Sequence, residues 1–250
     1  MQPLQNKVAL ITGGSRGIGA ATAILLAKAG ANVVVNYHSS EKDAFNVVAE
    51  VEAEGRKGIA VQADVRKPED VKRLVDQTVR EFGKIDILIN NANIQFAFKS
   101  FMEMSWSEFS DKINNEMSSA FHLCQEVVPY MEKQKEGKII LVSSGLSRTP
   151  SHGFIAHGTA KAAIATFAKY LAQELGPKNI KTNVIAPGLV LTDATKDQPA
   201  EVHELIRSLT PLQRLAVPED VAGAILSTVA DWNHYVNGAY IPVNGGADMS

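Results

Sequence analysis

The 250-residue chain has a single cysteine, Cys124, so no internal disulfide can form. It lacks any apolar run near the roughly 18 residues that a membrane-crossing helix needs, and its start shows no charged-then-apolar leader pattern. It also lacks a basic excess: 25 Lys and Arg stand against 27 Asp and Glu, a net charge of -2. Such a balance offers no electrostatic footprint for nucleic acid or an anionic membrane, which leaves small molecules as the expected partners. No repeat at 20 to 50 residues, low-complexity tract or internal linker interrupts the chain. These absences predict a soluble, cytoplasmic protein in which residues 1–250 form one domain. The 45% hydrophobic content is enough for one large core.

Short apolar strands alternate with amphipathic helices along the whole chain. Strands are expected at Lys7 to Thr12, Asn32 to Tyr37, Gly58 to Gln62, Ile85 to Ile89, Ile139 to Ser144, Ile180 to Ala186 and Tyr240 to Val243. Helices are expected from about Gly17 to Ala29, Glu41 to Glu54, Pro68 to Phe82, Trp106 to Lys133, His157 to Leu175, and from Pro218 onward. The alternation predicts an α/β, single-domain, doubly wound parallel sheet, the Rossmann fold. In the long Trp106 helix, Phe109, Ile113, Met117, Phe121, Leu123, Val127 and Val128 recur at helical spacing and read as core and subunit interface. The more polar segment 189–215, with Asp193, Lys196, Asp197 and Pro199, reads as a mobile lid over a substrate.

Between the first strand and first helix lies Gly13-Gly14-Ser15-Arg16-Gly17-Ile18-Gly19. Glycines at such a turn let backbone approach a phosphate, and the helix N-terminus supplies N–H groups and a positive dipole end. The second strand ends in Asn36, Tyr37 and His38, without the acid that would grip both ribose hydroxyls of NAD. With Arg16 nearby in sequence as a phosphate partner, NADP(H) is favoured over NAD(H). Asp64, just past the third strand, can accept from an adenine amino group.

The chemistry candidates lie in one stretch, Ser144 to Lys161. Ser144 ends a buried strand, and His157 and Lys161 are four apart, so they share a helix face and can act on one reacting group. Phe96, Phe98 and Phe154 hint at an apolar pocket, although core packing explains each of them equally well. His152, His157 and Glu116 have no recognisable metal-ligand spacing, and no metal is expected.

These motifs together closely resemble the short-chain dehydrogenase/reductase family, and within it the 3-oxoacyl-acyl-carrier-protein reductases. The resemblance runs through Thr12 to Gly19, Asp64-Val65, Asn90-Asn91-Ala92, Val142-Ser143-Ser144, Lys161, Pro187-Gly188 with Thr192, and Val236 to Gly246. It implies that Gly13, Ser15, Arg16, Ile18 and Gly19 hold cofactor phosphates and that Asp64 and Val65 flank the adenine. By the same resemblance, Asn90, Ala92, Pro187 and Gly188 line the cofactor, Lys161 grips the nicotinamide ribose, and Thr192 contacts the carboxamide. A homotetramer is implied too.

Three departures from the family pattern fall at the reacting end. His157 stands where a tyrosine acid is expected, Asn93 where a glycine is, and Glu116 where the pattern has a helix asparagine, with Asn115 one residue off that register. Asparagine tolerates a left-handed backbone, so the turn at Asn93 is expected to survive. Lys161 should push the His157 pKa down and Glu116 should push it back up, giving a set that titrates near neutrality. The expected function is therefore carbonyl/secondary alcohol interconversion with Ser144, His157, Lys161 and Glu116 as the reacting set. A nucleotide-bound enzyme without net redox, or a nucleotide-binding protein without catalysis, are the alternatives.

Overall fold

The computed structural model describes residues 2–249 apart from 194 and 197. Asp197, included in the expected lid, therefore lies outside the described residues. The chain order is β1 (Val8–Ile11), α1 (Gly17–Lys28), β2 (Asn32–Tyr37), α2 (Glu41–Ala53), β3 (Gly58–Gln62), α3 (Pro68–Phe82) and β4 (Ile87–Asn90). It continues with α4 (Trp106–Gln134), β5 (Gly137–Val142), α5 (Ile155–Leu175), β6 (Ile180–Pro187), α6 (Ala200–Leu209), α7 (Pro218–Val229) and β7 (Tyr240–Val243).

All seven strands are parallel, in the order β3-β2-β1-β4-β5-β6-β7. The order reverses between β1 and β4, and the crevice outside the carboxyl ends of these strands is where such sheets take ligands. Along β1, Ala9 and Ile11 enter a core shared with α1, α2 and α7, while Leu10 enters a second core with α3, α4 and α5. β1, β2, β4, β5 and β6 are thus buried on both faces, which is why they read as largely apolar runs. Among the described residues, no helix is long and apolar enough to cross a membrane.

Local chemistry sets several element ends. Pro68 opens α3 and Gly83, at φ 76°, closes it. Ser105 caps α4 by accepting from the Glu108 amide, while Glu108 accepts from the Ser105 amide. The fourth strand begins at Ile87 rather than Ile85, because the Asp86 carboxylate turns back to accept from the Val8 amide at 2.7 Å.

Three larger differences from expectation bear on the site. α5 starts at Ile155, two residues before His157, so His157 is inside the first turn rather than at the helix start. The 189–215 segment contains α6, whose Val202, Leu205 and Leu209 recur at helical spacing and are exposed. In α4, Phe121 faces outward, and the buried stripe begins with Lys112 and Glu116 before it continues through Ala120, Leu123 and Val127. The α4 stripe is therefore apolar core only in its later turns.

Candidate active site

The glycine loop is shaped by backbone crowding. A methyl group on Gly19 would overlap the Gly13 carbonyl oxygen and stand 2.7 Å from Asn91 Nδ2. One on Gly13, at φ 58°, would stand 2.9 Å from the Ala92 Cα. Asn91 Nδ2 donates to the carbonyls of Thr12 and Gly13, and the Thr12 hydroxyl accepts from the amides of Asn91 and Ala92. The loop after β1 and the loop after β4 are thereby locked into one floor. α1 has no side chain capping its N-terminus and no acid in its first turn, so its positive end is left for an anion. Ser15 and Ile18 are half-buried in this loop, and Arg16 is exposed, 3.8 Å from the Asp43 carboxylate.

At the neighbouring edge, Asn36 is buried and turned inward. Its Nδ2 donates to the carbonyls of Tyr37, Val61 and Ala63, and its Oδ1 accepts from the Gly13 amide at 3.4 Å. It pins β2, the β3 end and the glycine loop together. His38 is exposed beyond it, with Nε2 3.8 Å from Asp64. Asp64 accepts from Arg66 Nε at 2.8 Å and Nη2 at 2.7 Å, and these bonds hold its pKa down at about 2 against the opposing effect of burial. Arg66 thus shares the carboxylate expected to meet an adenine. Val65 is buried beside it, and Asn90 is buried at the β4 end, where its Oδ1 accepts from the Thr12 hydroxyl at 3.3 Å.

The reacting end is built by β5 and α5, with α4 packed against both. The Ser143 hydroxyl, at the end of β5, donates to the Lys161 carbonyl at 2.9 Å, and Lys161 Nζ donates to the Val142 carbonyl at 2.9 Å. Ser144 begins a short 3-10 turn (Gly145–Ser147), its hydroxyl accepting from the Leu146 amide. The Tyr240 hydroxyl of β7 donates to the Ser144 carbonyl at 3.1 Å and pairs with Ser147 Oγ at 2.9 Å. Pro187 is buried and Gly188 exposed at the end of β6, and half-buried Thr192 lies near Gly17 across the crevice.

Glu116 points into this centre. Its two oxygens are divided between lysines: Oε1 accepts from Lys161 Nζ, and Oε2 accepts from Lys112 Nζ at 2.5 Å. Burial would push the Glu116 pKa up, but Lys161 and Lys112 together hold it below the usual carboxylate value. Asn115 faces elsewhere, donating to the Asp111 carbonyl within its own helix. α4 runs unbroken through this region, so no bulge brings Asn115 around. Asn93 has no left-handed backbone; it sits in the loop after β4, where its Oδ1 accepts from Lys112 Nζ at 3.2 Å.

His157 is 8% exposed, stacked on Phe96 at 4.6 Å between ring centroids, and its Nδ1 is buried without a hydrogen-bond partner. Its pKa is lowered to about 3, first by burial, then by Lys161 and Lys112; Glu116 opposes them least. The expected near-neutral titration is not what this arrangement produces: burial lowers the pKa most, Lys161 and Lys112 add to it, and Glu116 is shared between both ammonium groups. The imidazole is neutral over the physiological range.

Phe154 packs against both Phe96 and Phe98, and it also meets His157 edge-on. Beyond them, Phe101, Met104, Trp106, Phe109 and Ile155 line an open groove of about 400 Å³. Lys112, Arg66 and Asn91 carry roles that the sequence reading did not assign. The signal for Lys112 was its four-residue spacing from Glu116 on the same helix face.

The profile of the family described as "Enoyl-(Acyl carrier protein) reductase" matches residues 13–248. The chain belongs to the short-chain dehydrogenase/reductase family, and it is an oxidoreductase. A 3-oxoacyl-[acyl-carrier-protein] reductase of Staphylococcus epidermidis is 35% identical over 244 residues, covering 98% of this chain and 100% of that protein. An L-rhamnose 1-dehydrogenase (NAD(P)(+)) of a Sphingomonas species is 36% identical over 249 residues, covering 98% of both chains. Among solved structures, a short chain dehydrogenase from Burkholderia cenocepacia in complex with NADP superposes with a TM-score of 0.91 at 35% identity. That match covers 99% of this chain and 100% of the other.

Proposed function

We propose that this oxidoreductase interconverts a secondary alcohol and a carbonyl compound with NADP(H), with His157 as the group that takes the hydroxyl proton. The observation that carries this reading is the neutral, buried imidazole of His157, unpartnered at Nδ1, on the same helix as Lys161 and beside the carboxyl edge where the glycine loop lies.

The crowded glycine loop and the open N-terminus of α1 fit a pyrophosphate. Lys161 Nζ has committed two of its three N–H groups, to Glu116 and to the Val142 carbonyl, so one remains for a ribose hydroxyl. Asn36 leaves no carboxylate to repel a 2′-phosphate, and exposed Arg16 and His38 stand at that rim; this favours NADP(H), as does the NADP held by the Burkholderia relative. The bound dinucleotide supplies the hydride acceptor for oxidation and the hydride donor for reduction.

The residues of this chain handle the proton and the oxygen. The Ser144 hydroxyl donates a hydrogen bond to the substrate oxygen. His157 accepts the hydroxyl proton as the C–H bond breaks, and a weak base suffices because the departing hydride makes that hydroxyl strongly acidic. Glu116, with both oxygens on ammonium groups, is not free to carry protons; it holds Lys161 in place. Oxidation is the direction for which the resting protonation state is set. The phenylalanines around His157 and the groove beyond them favour a substrate with an apolar group. The same reading takes the family's homotetramer and a cytoplasmic location as its setting, with 189–215 as the substrate lid.

Nicotinamide absorbance tests the reading: NADP+ and NAD+ are each offered with 3-hydroxyacyl thioesters, sugars and simple secondary alcohols. Reduction of NADP+ that depends on the alcohol and exceeds that of NAD+ supports it. Substrate turnover with no change in nicotinamide absorbance would sink it.

A further inference from the structure

Lys112 is 1% exposed on the inner face of α4, and each of its three N–H groups has an acceptor. Nζ donates to Glu116 Oε2 at 2.5 Å, to the Ile94 carbonyl at 2.6 Å and to Asn93 Oδ1 at 3.2 Å. It also lies 5.5 Å from the centroid of the Phe96 ring, which stacks on His157. A buried ammonium costs several kcal/mol in lost hydration unless it is fully paired, so a lysine at this place is a demanding choice for mere filling.

We infer that Lys112 is a positioning residue of the reacting centre: it clamps Glu116 against Lys161 and fixes the 91–100 loop that carries Phe96 onto the His157 ring. This rests on the reading of His157 as the proton acceptor. The charged groups that face His157 are Lys161 on its own helix and Lys112 and Glu116 on α4, while the Phe96 loop presents an aromatic face. Two ammonium groups against one carboxylate leave an excess positive charge beside the imidazole. Without Lys112 the count is one to one, and one of the two charges that oppose an imidazolium is gone. Lys112 therefore acts on proton transfer through its neighbours, without touching substrate.

Carbon-13 NMR of protein labelled at the histidine rings reads this directly, with the His157 signal identified by its absence in His157→Phe. In the wild type the ring should stay neutral from about pH 9 to about pH 4.5. In Lys112→Gln, which keeps hydrogen-bond donors for the loop but loses the charge, its protonation constant should rise about tenfold, one pH unit, so that imidazolium appears at the acid end. Lys112→Arg, which keeps the charge, should follow the wild type. A folded Lys112→Gln protein whose His157 titrates as in the wild type overturns the inference. If that variant does not fold, a tenfold change in Lys112→Arg overturns it, and superposition with the wild type supports it. The signal is read without substrate, so failure of the alcohol–carbonyl reading shows separately, as absent turnover.

Discussion

Lys161 on α5 donates to Glu116 on α4, so this buried lysine carries its own buried counter-ion. Removing that carboxylate with Glu116→Gln would leave the ammonium groups of Lys112 and Lys161 buried without it. Breaking a buried ion pair from one side costs about 3–5 kcal/mol. Urea unfolding should show a loss of that order, far above the roughly 0.5 kcal/mol typical of a surface substitution such as Lys72→Gln.

The lowered pKa of His157 makes a specific demand on stability. Above the ordinary histidine value of 6.5 the ring is neutral in both folded and unfolded chains, and there is no penalty. As pH falls below 6.5, the unfolded chain binds a proton that the folded chain refuses until about pH 3, so stability falls across that window. Near pH 5 the loss from this group is about 2 kcal/mol. Urea unfolding of wild type and His157→Phe at about pH 7.5 and about pH 5 should show the wild type losing about that much more. Equal losses in both proteins would mean that the ring is not held neutral by the fold.

The locked floor of the crevice predicts that Gly19→Ala loses nucleotide binding. The added methyl collides with the Gly13 carbonyl oxygen and crowds Asn91, which joins the two loops. Quenching of intrinsic fluorescence by NADPH should fall by tenfold or more in apparent affinity, while thermal unfolding remains cooperative.

Much of this was legible in the sequence, for physical reasons that can be named. Strands buried on both faces are largely apolar, so Val33-Val34-Val35 and Ile139-Ile140-Leu141-Val142 show themselves as runs between turn signals. The glycine loop is legible because backbone crowding admits little else at Gly19. The charge state of His157 was not legible, since it depends first on how deeply the ring is buried and then on which side chains converge from α4. Periodicity marks Lys112 and Glu116 as neighbours on one face without saying that the face is buried. The role of Asn36 was hidden for the same reason. The missing acid at the end of β2 is visible in the letters, but the inward turn of the side chain onto Ala63 and Val61 belongs to tertiary structure. α6 shows the opposite case: its spacing was there to be read, and the polar composition around it masked the helix.

The role of His157 as proton acceptor is tested most directly by the rate of NADP+ reduction by a secondary-alcohol substrate in the wild type and in His157→Phe. A neutral His157 base predicts turnover in the wild type from about neutral pH upward, with no loss centred on the ordinary histidine value of 6.5. It predicts a fall of at least about a hundredfold in the variant, the usual scale of general acid–base catalysis, with NADPH affinity unchanged. A phenylalanine variant that turns over as fast as the wild type would contradict it.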